Sequence, residues 1–259
     1  MQVDVKIDDN QERGLVARIV VDYQERLNTL NSELIRQLTS ALNSLTHKEE
    51  LRVVILTGAG KRAFIGGADV NEMAELNKPS AKDFITRLHG ACAAVRNVPV
   101  PVIARISGFC LGAGLEIAAS CDLRIAADHS TFGMPEVRVG IPSVIEAAIL
   151  PRLIGWGKAA ELIYTGKTIS AAEAVACGLI ERAVPASELD AEVDRCIGAI
   201  LQSGPRAIRL QKSLVREWES LPVDQAIERG IEVFATAYET DEPRVFMQRF
   251  LTRRRRDDG

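Results

Sequence analysis

Two glutamates stand beside glycine-rich segments in a way that could support proton transfer to a bound molecule. Glu116 ends the small-residue run 108–116, and Glu136 ends the run 132–136, where it follows a proline. Two carboxyl groups in unlike environments can act as an acid and a base, provided that one keeps its proton near neutral pH. Taken singly, Glu116 is also explained as an acid favoured by a helix dipole, and Glu136 as a solvated loop residue.

Two small-residue segments could supply backbone donors to the same molecule. The segment 63–69 follows a strand pattern and leads into a predicted helical turn at 70–76, and small residues there let a ligand lie against the backbone. Ala113 lies where a helix begins, and peptide N–H groups at a helix N-terminus are unpaired and partly positive. General turn chemistry offers a tight turn with a helix cap as the alternative reading of 63–69.

The segments that must position these residues alternate between strand and helix patterns. Apolar and β-branched runs predict strands at 15–22, 53–57, 100–106 and 123–127. Helical spacing predicts helices at 30–45 and 81–95 and another that starts at 115, after a glycine-rich turn at 108–114. Such alternation predicts an α/β fold with a mainly parallel sheet, and the mostly helical pattern from Ile145 onward predicts a helical C-terminal region.

Composition narrows the classes of function. The chain has 259 residues and a formal net charge of −3, which argues against nucleic acid as a bulk partner. The five cysteines are odd in number and lack close spacing, and the three histidines are scattered, so neither a disulfide framework nor a metal site is expected. The N-terminus resembles no targeting peptide and the apolar runs are too short to span a membrane, so we expect a cytoplasmic protein.

Five motifs in order carry a resemblance to a known family. Segments 63–69, 108–116, 121–126, 132–136 and 140–142 resemble those of the crotonase, or enoyl-CoA hydratase/isomerase, superfamily. Further matches lie at 27–30, at 171–184 and at 234–236, so the resemblance covers nearly the whole chain. It implies a crotonase-like spiral of ββα repeats, with a β/α core at 1–195 that holds the CoA and catalytic site. Residues 196–259 would form a helical oligomerisation region.

The resemblance also implies a chemistry for the motif residues. Backbone N–H groups of Gly66 and Ala113 would form an oxyanion hole for the thioester carbonyl of an enoyl-CoA. Glu116 would orient and deprotonate water, and Glu136 would protonate Cα, with the roles reversed in dehydration. The substrate would be an acyl-CoA thioester, and no separate cofactor is expected because CoA is part of the substrate.

The resemblance implies that CoA binds along the first loop and the turn from Gly66 to Val70. Arg26 and Arg62 are candidate phosphate partners, although each could be an ordinary surface arginine. The full implied set is Arg26, Leu27, Arg62, Phe64, Gly66, Gly67, Ala68, Asp69, Val70 and Ala113.

The chain departs from the commoner family pattern in three places. Ser143-Val144-Ile145-Glu146 replaces a glycine-rich stretch and is expected to border the acyl pocket. Gly66 replaces a more usual Ala or Ser, and residues 23–25 replace a turn that contains proline. Glu146 thereby becomes a third acid near the site, and a helix first-turn carboxylate is its expected role.

Other activities and an assembly state complete the expectations. An isomerase that moves the double bond needs only one acid/base group, so the presence of two glutamates favours the hydratase; other crotonase chemistry stays open. An RNA-binding role is supported only by Arg253–Arg256, and terminal charge runs are usually solvated. Family members form trimers, often paired into hexamers. An apolar helix face is compatible with such an interface: Ile227, Ile231, Phe234 and Tyr238, continued by Phe246 and Phe250.

Overall fold

The chain folds into two compact units in a computed structural model. The first unit spans Met1–Cys196 and the second spans Ile197–Gly259. The structure describes the backbone of residues 1–9 and 13–257 and the side chains of these residues up to 252.

Ten strands and ten α-helices occupy the described backbone. The strands are β1 (Gln2–Asp9), β2 (Leu15–Asp22), β3 (Leu51–Gly58), β4 (Ala63–Ile65), β5 (Val102–Ile106), β6 (Phe109–Leu111), β7 (Leu123–Ala127), β8 (Thr131–Gly133), β9 (Thr168–Ser170) and β10 (Arg182–Val184). The helices are α1 (Ser32–Leu45), α2 (Val70–Ala74), α3 (Lys78–Asn97), α4 (Ala113–Ser120), α5 (Leu150–Thr165), α6 (Ala171–Ala176), α7 (Leu189–Leu201), α8 (Pro205–Trp218), α9 (Val223–Ala237) and α10 (Glu242–Asp257).

The larger sheet of the first unit has six strands in the order β1-β2-β3-β5-β7-β10. β1 and β2 pair as an antiparallel hairpin, and every other neighbouring pair is parallel. All eight residues of β3 are buried, as expected for a central parallel strand with both faces covered. The predicted, mainly parallel sheet is therefore confirmed.

A second sheet of four short strands runs β4-β6-β8-β9. Three successive strand pairs, β3 with β4, β5 with β6, and β7 with β8, each give their first strand to the large sheet and their second to the small one. This recurrence is the ββα spiral that the family resemblance implied. The backbone shows the repeat although the sequence shows none.

The packing of α1 shows why the predicted helix forms. The Asn31 side chain caps the helix by accepting a hydrogen bond from Leu34 N at 2.9 Å. Leu34, Leu38 and Leu42 lie on one face at helical spacing and are fully buried. Burying one such side chain stabilises the fold by roughly 2 kcal/mol, so this face holds α1 against the core.

Several sequence predictions of local structure need correction. The turn expected at 108–114 contains β6, and α4 begins at Ala113 rather than Leu115. β5 begins at Val102, two residues later than predicted. β1 was not predicted, and neither were the short strands β4, β8, β9 and β10; runs of three residues are too short to show a strand period.

In the second unit, α9 exposes its apolar face. The structure records no buried residue in α9, and Ile231 and Phe234 are each 67% exposed. The side chains of Arg253–Arg256, on which the RNA-binding alternative depends, lie outside the described residues. Among the described residues no helix is both long and apolar enough to cross a bilayer.

Candidate active site

Glu116 projects from a helix that lies entirely inside the protein. All eight residues of α4 are buried, and Glu116 is only 4% exposed. The helix starts after Gly112, whose φ of 51° and ψ of −121° suit glycine and turn the chain sharply out of β6. The carboxylate oxygen Oε1 of Glu116 accepts a hydrogen bond from the backbone N–H of Ala147 at 3.1 Å.

The surroundings of Glu116 favour its protonated form. Burial raises the pKa of Glu116 from its usual 4.5 to about 8. The hydrogen bond from Ala147 opposes this rise in pKa, whereas the negative charges of Glu136 and Glu146 add to it. A carboxyl group with such a pKa keeps its proton near neutral pH, which is one requirement of paired acid and base chemistry.

Glu136 approaches Glu116 from a different element. It opens the 3-10 helix Glu136–Val139 and is partly exposed. Its Oε2 accepts a hydrogen bond from the Ser143 hydroxyl at 2.7 Å. Its Oε1 lies where a side chain on Gly112 would stand. Glycine at position 112 therefore lets the Glu136 carboxylate lie directly against the start of α4.

A cavity of about 180 Å³ joins the two glutamates. It is mostly apolar, and the carboxyl groups are its main polar features besides one arginine. This combination of an apolar chamber with few polar groups is typical of small-molecule sites. The lining is Gly66, Gly67, Ala68, Val70, Met73, Phe84, Ile85, Leu88, Gly112, Ala113, Glu116, Pro135, Glu136, Arg138, Val139, Ile141, Pro142 and Val144.

Two residues that line this cavity, Ala113 and Ala68, have a backbone N–H group without an acceptor among the described residues. The carbonyl of Gly112 accepts the helical bond from Glu116 N at 3.0 Å, and the carbonyl of Gly67 accepts from Leu30 N at 2.8 Å. In a trans peptide the N–H points opposite to the C=O. The N–H groups of Ala113 and Ala68 therefore point away from those partners, and neither has an acceptor among the described residues.

The prediction that Gly66 offers a free N–H is wrong. The N–H of Gly66 donates to the carbonyl oxygen of Leu27 at 2.9 Å. Leu27 has a left-handed backbone, with φ of 54°, which turns its carbonyl toward the 63–69 segment. Gly66 still lines the cavity, but the free donor of this segment that the backbone orients is Ala68.

The implied CoA-binding residues between Phe64 and Val70 divide into two groups. Gly66, Gly67, Ala68 and Val70 line the cavity together with Ala113. Phe64 is fully buried in the hydrophobic core, which removes its side chain from any ligand. The buried Asp69 caps α2, where it accepts a hydrogen bond from Asn71 N at 2.9 Å. The roles of these last two side chains in the structure are packing and capping.

The first loop brings its residues to the same segment. Arg26 and Arg62 are exposed and do not line the cavity, so their contact with CoA phosphates stays a prediction. The buried Asn28 accepts a hydrogen bond from Tyr23 N at 2.9 Å and donates to Ala63 O at 2.8 Å. Asn28 thus fastens the 23–30 loop to β4, and sequence reasoning did not single out this role.

The segment that departs from the family pattern forms one wall of the site. Ser143 binds Glu136, Val144 lines the cavity, and Ala147 binds Glu116. Glu146 lies in the first turn of the 3-10 helix Ile145–Ile149, as expected, but it is buried. Sequence reasoning therefore located this wall but missed its two hydrogen bonds to the glutamates.

Comparison with known proteins identifies the family to which this fold belongs. Residues 11–257 match the family model for enoyl-CoA hydratase/isomerase, and the chain belongs to that family. A short-chain-enoyl-CoA hydratase of Clostridium acetobutylicum is 34% identical, over 95% of this chain and 94% of that protein. A crotonyl-CoA hydratase of Syntrophomonas wolfei is 33% identical, over 93% of each chain.

Solved structures give the same result for the fold. The crystal structure of enoyl-CoA hydratase from Bacillus anthracis superimposes with a TM-score of 0.90, at 32% identity and with 96% of each chain covered. The predicted crotonase fold and family membership are thereby confirmed.

Proposed function

We propose that this protein is an enoyl-CoA hydratase that adds water reversibly across the 2,3 double bond of an enoyl-CoA thioester. The observation that carries this proposal is the meeting of Glu116 and Glu136 in one apolar cavity that is also lined by two residues with unpaired backbone N–H groups. Addition of water needs one group to take a proton and another to give one, and the cavity supplies both. The hydratases among its relatives support the same reaction.

The thioester carbonyl binds at the start of α4 in this proposal. Negative charge develops on the carbonyl oxygen when water attacks Cβ. The N–H groups of Ala113 and Ala68 are fixed before substrate arrives, because the carbonyls of the same peptides are already bonded. Donors that are oriented in advance stabilise the transition state, and loss of one typically costs about 3 kcal/mol. Ala68 replaces Gly66 as the partner of Ala113.

The two glutamates share one exchangeable proton in the active form. By resemblance, Glu116 takes a proton from water and Glu136 gives one to Cα. The raised pKa of Glu116 means that Glu116 holds a proton near neutral pH in the ligand-free protein. That form is ready for dehydration, in which Glu116 protonates the leaving hydroxyl and Glu136 removes the Cα proton. Hydration starts from the same pair with the proton on Glu136.

A consequence concerns the order of proton transfers. Each hydration leaves the proton on Glu116 and each dehydration leaves it on Glu136, so the pair must exchange protons between turnovers. Strongly interacting acids titrate as a pair. The rate in both directions should therefore fall as pH rises through about 8, where Glu116 loses its proton.

Isomerisation of the double bond is the alternative within the same family. It needs one group that removes a proton from one carbon and returns it to another. Glu136 alone could do so, since it faces the cavity. The second acid, Glu116, then has no part in the reaction, which is why we prefer hydration.

The test is a screen of purified protein against enoyl-CoA thioesters of different length and branching, followed by loss of the enoyl-thioester absorbance. Hydration of at least one substrate, lost in Glu116→Gln and in Glu136→Gln, is the expected result. Glu188→Gln is the matched control, because Glu188 is exposed and distant in sequence from every site residue. Conversion of a 3-enoyl to a 2-enoyl thioester that survives Glu116→Gln would instead establish an isomerase.

We also propose that the protein acts in acyl-CoA catabolism in the cytoplasm and assembles as a trimer or a pair of trimers. Support for assembly comes from α9, whose apolar side chains remain exposed in the single chain. Exposed apolar patches of this kind usually mark contact with another protein surface. The family resemblance supplies the three-fold symmetry, since helical periodicity cannot give subunit number.

A further inference from the structure

The wall segment 143–149 holds Glu116 by a single backbone donor. Ala147 N–H reaches Glu116 Oε1 at 3.1 Å, so the position of the 3-10 helix Ile145–Ile149 sets that contact. This helix begins at a strained residue, since Ile145 has φ of 40°, a value that β-branched side chains rarely adopt. Something in the packing must therefore hold the helix in place.

Glu146 supplies a tether next to that donor. Its carboxylate is buried, with 6% of the residue exposed. Oε1 lies 2.8 Å from Nδ1 of His89, a half-exposed residue on α3. Oε2 has no hydrogen-bond partner within the described part of the chain. A buried carboxylate is costly unless it is paired, and the Cys92 thiol is a second hydrogen-bond partner of this one.

The neighbours place Glu146 beside Glu116. Burial raises the pKa of the Cys92 thiol well above its usual range, and the negative charges of Glu146 and Glu116 raise it further. Cys92 is one turn from His89 on α3 and is fully buried. The thiol thus stays protonated between the two acids. Glu146 is also one of the two charges that act on Glu116.

We propose that Glu146 and His89 form a positioning pair for Glu116: the pair fixes the 145–149 helix so that Ala147 N–H reaches Glu116, and it sets a second negative charge beside that carboxyl group. The proposal deepens the proposed function, because it assigns Glu116 to the reaction. Glu146 itself is not among the residues that line the cavity.

Two separable effects follow from this pair. The tether is geometric and depends on a hydrogen bond between positions 89 and 146. The charge is electrostatic and depends on the carboxylate of Glu146. The titratable groups that face Glu116 are Glu136, Glu146 and Cys92, and His89 faces Glu146 in turn. Only Glu146 combines both effects.

The charge is tested on Glu116 directly, without any assay of activity. In protein labelled with ¹³C at glutamate side chains, the Glu116 resonance is assigned by its absence from Glu116→Gln and is followed through a pH titration. Glu146→Gln keeps a side chain of the same shape and removes the charge. We expect the Glu116 titration to move down by about half a pH unit or more, as for loss of a close like charge. An unchanged titration would overturn the proposal.

The tether is tested with two substitutions of one histidine. Asn places an amide nitrogen where Nδ1 of His89 lies, so His89→Asn should keep near-normal kcat, whereas His89→Ala should lose about tenfold. His47→Gln, at an exposed histidine, is the matched control and should match wild type. If His89→Asn and His89→Ala have equal kcat, and circular dichroism shows that both are folded, the hydrogen bond between His89 and Glu146 does not position Glu116.

The pH profile then separates this proposal from the proposed function. In Glu146→Gln the alkaline limb of kcat/KM should move to lower pH together with the Glu116 titration. A protein that hydrates no enoyl-CoA but shows the shifted titration would contradict the hydratase assignment and leave the pair intact. If the protein is a hydratase but Glu146→Gln moves neither the Glu116 titration nor the alkaline limb of kcat/KM, only the proposed role of Glu146 and His89 is contradicted.

Discussion

Replacing Glu116 by glutamine should change how protein stability depends on pH. The substitution keeps the shape of the side chain and an oxygen that can accept from Ala147 N–H, but it removes the ionisable group. The pKa of Glu116 is raised in the folded protein, from 4.5 to about 8. The stability that the neutral carboxyl group contributes is therefore fully present below about pH 4.5 and is lost as pH rises through about 8.

The size of the effect follows from these values. Each pKa unit corresponds to about 1.4 kcal/mol. Relative to its value at low pH, the free energy of unfolding is therefore lowered through Glu116 by about 1 kcal/mol at pH 5 and by about 5 kcal/mol at pH 9. Glu116 is 4% exposed, so solvent screening reduces this cost little. The free energy of unfolding of Glu116→Gln minus that of wild type should rise by about 4 kcal/mol over this range.

The assay is urea denaturation of both proteins at pH 5, 7 and 9, at one fixed protein concentration, because assembly also contributes to stability. A constant penalty for burying the extra amide donors shifts all three points equally and does not affect the difference. If the two proteins show the same dependence on pH, Glu116 is not a buried acid with a raised pKa, and the reasoning fails.

Four further results are expected. Glu136→Gln should lower the hydration rate by about two to four orders of magnitude while CoA-ester binding measured by calorimetry persists; near-wild-type turnover would exclude Glu136 as an acid/base. Glu146→Gln should keep most activity on short enoyl-CoA substrates at neutral pH, and a loss as large as that of Glu136→Gln would point to a third acid in the reaction. Ala113→Pro removes one N–H at a helix position that accepts proline, so kcat should fall by roughly a hundredfold or more in protein that circular dichroism shows to be folded; unchanged kcat would exclude this donor. Light scattering should give a mass of three or six chains for the wild type and a smaller mass for Phe234→Asp, whereas a monomeric wild type would refute assembly through α9.

The sequence was sufficient to locate the glutamates but not the hydrogen bonds around them. Glu116 and Glu136 follow from ordered motifs, and the structure brings both to one cavity. Gly66 was the wrong donor because its N–H donates to the carbonyl oxygen of Leu27, 39 positions earlier in the chain. No pattern of residue types reveals that Leu27 has the left-handed backbone conformation that orients this carbonyl. The contact between His89 and Glu146 spans 57 residues and depends on how α3 packs, which local patterns do not determine.

The larger elements were predictable because their apolar periodicity extends over several turns or a whole strand. β2 and β7 have the predicted bounds, and α1 and α3 contain the predicted helices almost entirely. The small sheet escaped prediction because its strands have three residues each. Their pairing is set by the turns between the two sheets, not by their own composition.

The different burial of the two walls of the cavity bears on how such an enzyme can change over time. Glu116 and Ala113 belong to the fully buried α4, where a change of one methylene disturbs core packing. Val139, Ile141 and Val144 also line the cavity and are each 40% exposed or more, and substitutions at exposed positions usually cost little stability. In the proposed enzyme, new acyl groups could therefore be accommodated by substitutions at these exposed positions, while the buried helix that carries Glu116 stays unchanged.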